Sequence, residues 1–80
     1  MNVTYRIDKD ILYISVEGRI DASNAAETEE KIFTIKNDNP GKHTVVDADK
    51  LEYISSAGLR VILRLRKEEP NLAIINVASD

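Results

Sequence analysis

The 80-residue chain, 42% hydrophobic and 31% charged, makes one small domain with little core to spare for a buried catalytic cavity. Its net charge of −3 argues against a nucleic-acid surface, which needs a basic face, and its four aromatics, Tyr5, Tyr13, Phe33 and Tyr53, form no base-stacking series. The absence of cysteine excludes disulfides, thiolate metal sites and cysteine nucleophiles, and the single His43 cannot build a metal site by itself.

The start, Met1 to Arg6, lacks the apolar stretch of a signal peptide. No apolar run approaches the roughly 18 residues that span a bilayer. The expectation is a cytoplasmic domain with no membrane insertion. Val3, Tyr5 and Ile7 alternate with Thr4 and Arg6, the period of a half-buried strand. Asp8-Lys9-Asp10 reads as a turn, and Ile11 to Glu17 as the second strand of a hairpin. Gly18 breaks that run, and Arg19-Ile20-Asp21 leads to a loop.

Ser23 and Asn24 are both good helix caps, and Glu27 stands three residues after Asn24, as in a capping box. Ala25, Ala26, Ile32, Phe33 and Ile35 supply a buried stripe for this helix. It ends near Asn37, because Asp38-Asn39-Pro40-Gly41 is a strong turn signal. His43 to Ala48 reads as a buried strand, and Asp49 to Ile54 as a connection anchored by Leu51, Tyr53 and Ile54. A second helix opens at Ser55-Ser56 and runs to about Glu68. Leu59, Ile62 and Leu63 stand at i, i+3 and i+4, and Val61 and Leu65 widen the same face, which the pattern buries. Arg60, Arg64 and Lys67 share the wet face. Pro70 stops the helix, and Leu72 to Val77 reads as a last strand.

The order strand, strand, helix, strand, helix, strand places the chain in the α/β class. It implies a mixed sheet of about four strands with two helices packed against it. Asp47 and Asp49 leave a strand close together, but with no third ligand they read as solvated loop acids. Gly18, Gly41 and Gly58 form no phosphate-binding pattern. A Ser-Ser pair at a helix start is explained, in isolation, by capping alone.

Its context says more. The stretch Ile54-Ser55-Ser56-Ala57-Gly58-Leu59 between a strand and an amphipathic helix resembles the signature of the STAS domain of bacterial anti-sigma factor antagonists. In that family the corresponding stretch commonly reads Asp-Ser-Ser-Gly-Leu or Asp-Ser-Thr-Gly-Leu. Ser55 stands where the family has Asp, Ala57 takes the second hydroxyl position, and Gly58 and Leu59 match. Upstream, Gly18-Arg19-Ile20-Asp21 is similar to the family's Gly-Glu-Leu-Asp turn before the first helix.

The resemblance spans residues 1–80 as a single STAS domain, and implies that the chain lacks the family's usual C-terminal helix. It therefore implies a partly uncovered last strand, with low thermal stability or self-association through it. It implies no catalysis and no cofactor. The partners would be an anti-sigma factor serine kinase and a serine phosphatase that resets the switch. Ser56 would be the phosphoacceptor, and Asp21, Ser55, Ser56, Leu59, Arg60 and Leu63 the partner-binding residues. A non-phosphorylated STAS scaffold, or a transporter-associated regulatory module, is the alternative within the family. A nucleotide-binding or hydrolytic domain is the alternative outside it.

Overall fold

A computed structural model of the chain describes residues 2–77. Strand β1 (Asn2–Asp8) and strand β2 (Ile11–Ile20) form an antiparallel hairpin through Lys9 and Asp10. Helix α1 (Ala25–Asp38), strand β3 (His43–Asp47), strand β4 (Leu51–Ile54), helix α2 (Ser56–Glu68) and strand β5 (Ala73–Ile75) follow. The sheet order is β1-β2-β3-β5, with β4 also paired to β2. All pairs beyond the hairpin are parallel, so the sheet is mixed.

The sheet has five strands where the sequence pattern gives about four. The additional one is β4, read from sequence as a connection. Its two apolar ends, Leu51 and Ile54, are half-buried, whereas Glu52 and Tyr53 are exposed. Four residues are too few for alternation to declare itself. The strand is set by its neighbour: β3 pairs with the first half of β2 and β4 with the last three residues.

This arrangement also corrects the reading of Gly18 as a strand breaker. Strand β2 runs through Gly18 to Ile20, and the register against β4 shifts between Gly18 and Arg19. Gly18 has φ of 93°, a left-handed conformation that costs glycine no steric penalty. The glycine thus lets β2 change partner without ending.

Leu12, Ile14 and Val16 alternate along β2 toward one face, where both helices pack. Val46, Leu72, Ile32, Val61 and Leu65 complete that core. In α1 the buried residues are Ala25, Thr28 and Ile32, so Ala26 is exposed and Phe33 and Ile35 only half-buried. The expected capping box is absent. Asn24 is the cap residue, but its side chain turns back, accepting from Asp21 N at 3.0 Å and donating to the Arg19 carbonyl at 2.9 Å. Glu27 pairs with Lys31 instead, at 3.2 Å. In β5, Ile74 and Ile75 are half-buried, and beyond the strand Val77 is exposed.

Glu69 ties the layers together. Thr44, 1% exposed, donates its backbone N–H and its hydroxyl to the Glu69 carboxylate at 2.9 and 3.0 Å. Lys36 of α1 approaches the same carboxylate at 3.6 Å. Glu69→Ala leaves two donors of a buried residue without partners, each costing about 1–3 kcal/mol. Chemical denaturation is expected to show a loss of about 2–6 kcal/mol, and a smaller one for Glu69→Gln, which keeps an acceptor. Equal losses for the two variants would refute this account.

Asp47, at the end of β3, accepts from Asn76 Nδ2 at 2.9 Å and from Asp49 N at 3.0 Å. These hydrogen bonds, Asn76 first, hold its carboxyl below the ordinary 3.8. A carboxyl lowered by folding stabilises fully above its unfolded value, and the gain is lost as pH falls through the folded value. The acid limb of the stability curve is therefore expected below about pH 4. Asn76→Gly tolerates the left-handed φ of 59° at that position but removes the donor. NMR titration should then show the Asp47 carboxyl rising toward 3.8; an unmoved titration would exclude Asn76 as the main cause.

Candidate functional site at the start of the second helix

The end of β4 runs directly into α2. Ser55 N donates to the Ile20 carbonyl at 2.8 Å, which straps the start of α2 to the end of β2. Ser55 is the cap residue, with extended backbone, and its hydroxyl accepts from Gly58 N at 3.3 Å. Ser56 is the first helical residue, exposed, with no side-chain hydrogen bond among the described residues. The two adjacent hydroxyls thus differ: one is occupied by capping and the other faces solvent.

The buried face of α2 is Gly58, Val61 and Leu65. Leu59 and Leu63 are 50% and 66% exposed, which corrects the sequence expectation that they join that face. The apolar pattern contained two overlapping stripes, 59/62/63 and 58/61/65, and Gly58 decides between them. A Cβ there would lie 2.6 Å from Ile54 Cγ1 and 2.8 Å from Ile20 Cγ2, so only glycine lets the helix lie this close. The outer stripe therefore reads Ser56, Leu59, Arg60, Leu63, Arg64, Lys67, at the i, i+3, i+4, i+7 spacing of one helical face. Two leucines are thus exposed on the same helical face as Ser56.

Of the six candidate partner-binding residues, Ser56, Leu59, Arg60 and Leu63 share this stripe and Ser55 caps it. Asp21 follows Ile20, so the Ser55–Ile20 hydrogen bond brings its backbone beside the start of α2. Its carboxylate, however, is engaged locally. It accepts from the Ser23 hydroxyl and from Ser23 N, and these bonds, with the Arg19 charge, hold its carboxyl below the ordinary value. Its backbone carbonyl accepts from Ala25 N at 2.9 Å, so Asp21 shapes the entry to α1. Sequence reasoning missed Arg19 and Tyr53. They are paired across β2 and β4, with the guanidinium 4.4 Å from the ring centroid, and both are exposed.

A sequence model of the STAS domain matches residues 2–75. The chain belongs to the STAS family. Across 58 residues it is 34% identical to BtrV of Bordetella bronchiseptica, a curated protein named as an anti-sigma factor antagonist. That alignment takes in 72% of this chain and 49% of the relative, so the chain spans about half the relative's length. Among solved structures it resembles an anti-sigma factor antagonist from Mycobacterium paratuberculosis, with TM-score 0.79 and 22% identity over 91% of this chain and 64% of that one. It also resembles SpoIIAA, an anti-sigma factor antagonist solved in its unphosphorylated form. There the TM-score is 0.69, with 17% identity over 96% of this chain and 74% of that one. At these identities the structural likeness is one of fold, and this STAS chain has the mixed sheet and two helices that the fold requires.

Among the described residues no cluster of His, Cys, Asp or Glu could hold a metal ion. No helix among them is long and apolar enough to cross a membrane.

Proposed function

We propose that this STAS chain, acting as a single domain over residues 1–80, is a cytoplasmic anti-sigma factor antagonist. In this reading it docks an anti-sigma factor that is itself a serine kinase, and phosphorylation of Ser56 ends the docking. The observation that carries the proposal is the division of labour at the start of α2. Ser55 is spent on the cap, while Ser56 stands free at the head of a stripe of exposed leucines. The name of the relative at 34% identity supports the choice of partner.

The chain supplies a nucleophile and a docking face, and no catalytic machinery. The Ser56 hydroxyl attacks the γ-phosphorus of ATP held by the kinase. The new Oγ–P bond replaces the bond to ADP, and the hydroxyl proton passes to a base on the kinase. A serine phosphatase reverses the modification. The phosphoryl group brings roughly −1.5 to −2 charges onto the first turn of α2. That turn holds no acidic residue and has unpaired N–H groups, so the helix tolerates the charge. The effect therefore falls on the interface, where the charge is buried against a partner shaped for a neutral hydroxyl. Asp21 acts by holding the loop beside Ser55, and Leu59, Arg60 and Leu63 form the contact.

The test is incubation of the chain with candidate anti-sigma kinases and ATP, followed by phosphosite mapping. Phosphate on Ser56 with loss of binding supports the proposal. Binding without any phosphorylation would replace it with the scaffold reading.

A further inference from the structure

Ser56 and Arg60 stand at i and i+4 on α2, and both are exposed. At that spacing two helical side chains share one face, with Cβ atoms about 5–6 Å apart. Side chains on a helix lean toward its N-terminus, so one as long as arginine can reach back over the preceding turn, which here carries Ser56. An acid four residues before a base is also the favourable order for an ion pair on a helix. This spacing belongs to α2 itself and holds whatever lies against the helix.

The neighbouring cations are placed differently. Arg64 is about two turns from Ser56 and is held by Glu29 at 2.8 Å. Arg66 and Lys67 lie about 15 Å or more along the axis. Arg19 precedes Ile20, whose carbonyl accepts from Ser55 N, but its guanidinium lies over the Tyr53 ring, 4.4 Å from the centroid. Among the described residues Arg60 has neither an ion-pair partner nor an aromatic ring beneath it. The acids are placed apart as well. The first turn of α2 holds none, Glu68 stands at the far end of the helix, and the Asp21 carboxylate is engaged by Ser23.

We infer that Arg60 is the phosphate-binding residue of the modified chain: once Ser56 is phosphorylated, the Arg60 guanidinium closes on the phosphoryl oxygens from the next turn of α2. The inference rests on the reading of Ser56 as the phosphoacceptor, and adds to it what the chain does with the new charge. A guanidinium takes a phosphoryl group through two parallel N–H···O bonds, a geometry that lysine cannot match.

That capture changes the docking face twice. It sets a phosphoryl group at the head of the stripe, and it withdraws the cation that stands between Leu59 and Leu63 in the sequence of that stripe. The unmodified chain presents Arg60 to its partner, whereas the modified chain turns it onto its own phosphate. Charge is thereby neutralised within α2, so the modified helix stays folded while the surface it offers is no longer the same.

The experiment needs neither kinase nor partner. Ser56 is installed as phosphoserine by chemical synthesis of the full chain, and the phosphate is titrated by phosphorus NMR in wild type and in Arg60→Gln. The second ionisation of phosphoserine falls near about 6, and a guanidinium at hydrogen-bond distance favours the dianion and lowers it. Arg60→Gln is expected to raise that midpoint by about 0.4 pH unit or more, the equivalent of one good i,i+4 pair. Arg60→Lys, which keeps the charge without the fork, should fall between the two. The Arg60 Nε–H resonance of wild type should move when Ser56 carries phosphate. Lys67→Gln, the same loss of charge far along the helix, and Arg19→Gln should leave the midpoint in place. Equal midpoints in wild type and Arg60→Gln would overturn the inference. So would an equal rise from Lys67→Gln, the mark of net charge alone, or a larger rise from Arg19→Gln, which would give the phosphate to Arg19. Because the phosphate is installed and not transferred, this result is separate from whether a kinase modifies Ser56.

Discussion

Ser56→Ala is expected to abolish phosphorylation while leaving stability within about 0.5 kcal/mol of wild type, the range of an ordinary surface change. The side chain is exposed and makes no hydrogen bond that the fold uses. Ser55→Ala should do the opposite. It removes the acceptor of the Gly58 N–H, costing about 1 kcal/mol, and leaves the modification in place. Ser56→Asp should fold normally, since a carboxylate in the first turn of a helix gains about 0.3–1 kcal/mol. It should nonetheless bind the partner more weakly by about tenfold or more. The phosphorylated chain should lose about a hundredfold, because like charge at a contact costs several kcal/mol and about 1.4 kcal/mol is a factor of ten. Thermal melts of the three variants, phosphosite mapping and partner titration separate these effects. Phosphate found on Ser55, or tight binding by Ser56→Asp, would defeat the assignment of Ser56 as the switch.

Much of this architecture was legible because the segments are strongly periodic. The alternation of Leu12, Ile14 and Val16, the Ser55 cap of α2 and the turns around the helices needed no tertiary information. What escaped depended on partners far away in sequence. Strand β4 exists because β2 continues past Gly18, and a glycine in a strand reads as a break when its neighbour is unknown. The Asn24 side chain had two uses open to it, and the Arg19 carbonyl won over the first turn of α1. At the candidate site the serines and Gly58 were found from their motif. The outward face of Leu59 and Leu63 was not, since hydrophobicity assigns a leucine inward. Their exposure follows from the close packing of Gly58 against Ile20 and Ile54, which the pattern alone does not show.

That packing gives the last prediction. Alanine in place of glycine inside a helix normally gains about 1 kcal/mol. At Gly58 the added methyl meets Ile54 Cγ1 at 2.6 Å and Ile20 Cγ2 and Cβ at 2.8 and 3.2 Å, all parts of branched side chains close to their own backbones. None of these atoms is the free end of a flexible chain. Overpacking of this kind costs about 1–3 kcal/mol, and with two strands pinned behind the contact we expect the upper part of that range. The net for Gly58→Ala is then a loss of about 1–2 kcal/mol, or roughly 4–16 °C in melting temperature for a domain of this size. The site should suffer with the fold. Relief requires α2 to lift from the sheet, and the start of α2 is tied there by the hydrogen bond from Ser55 N to the Ile20 carbonyl. Ser56 phosphorylation is therefore expected to slow even at temperatures where the variant is folded. A double-mutant cycle isolates the cause. Ile54→Ala removes the atom in closest contact, so Gly58→Ala should cost less in that background than in wild type. If Gly58→Ala is neutral or stabilising, the helix does not lie as close to Ile20 and Ile54 as described, and the outward direction of Leu59 and Leu63 falls with it.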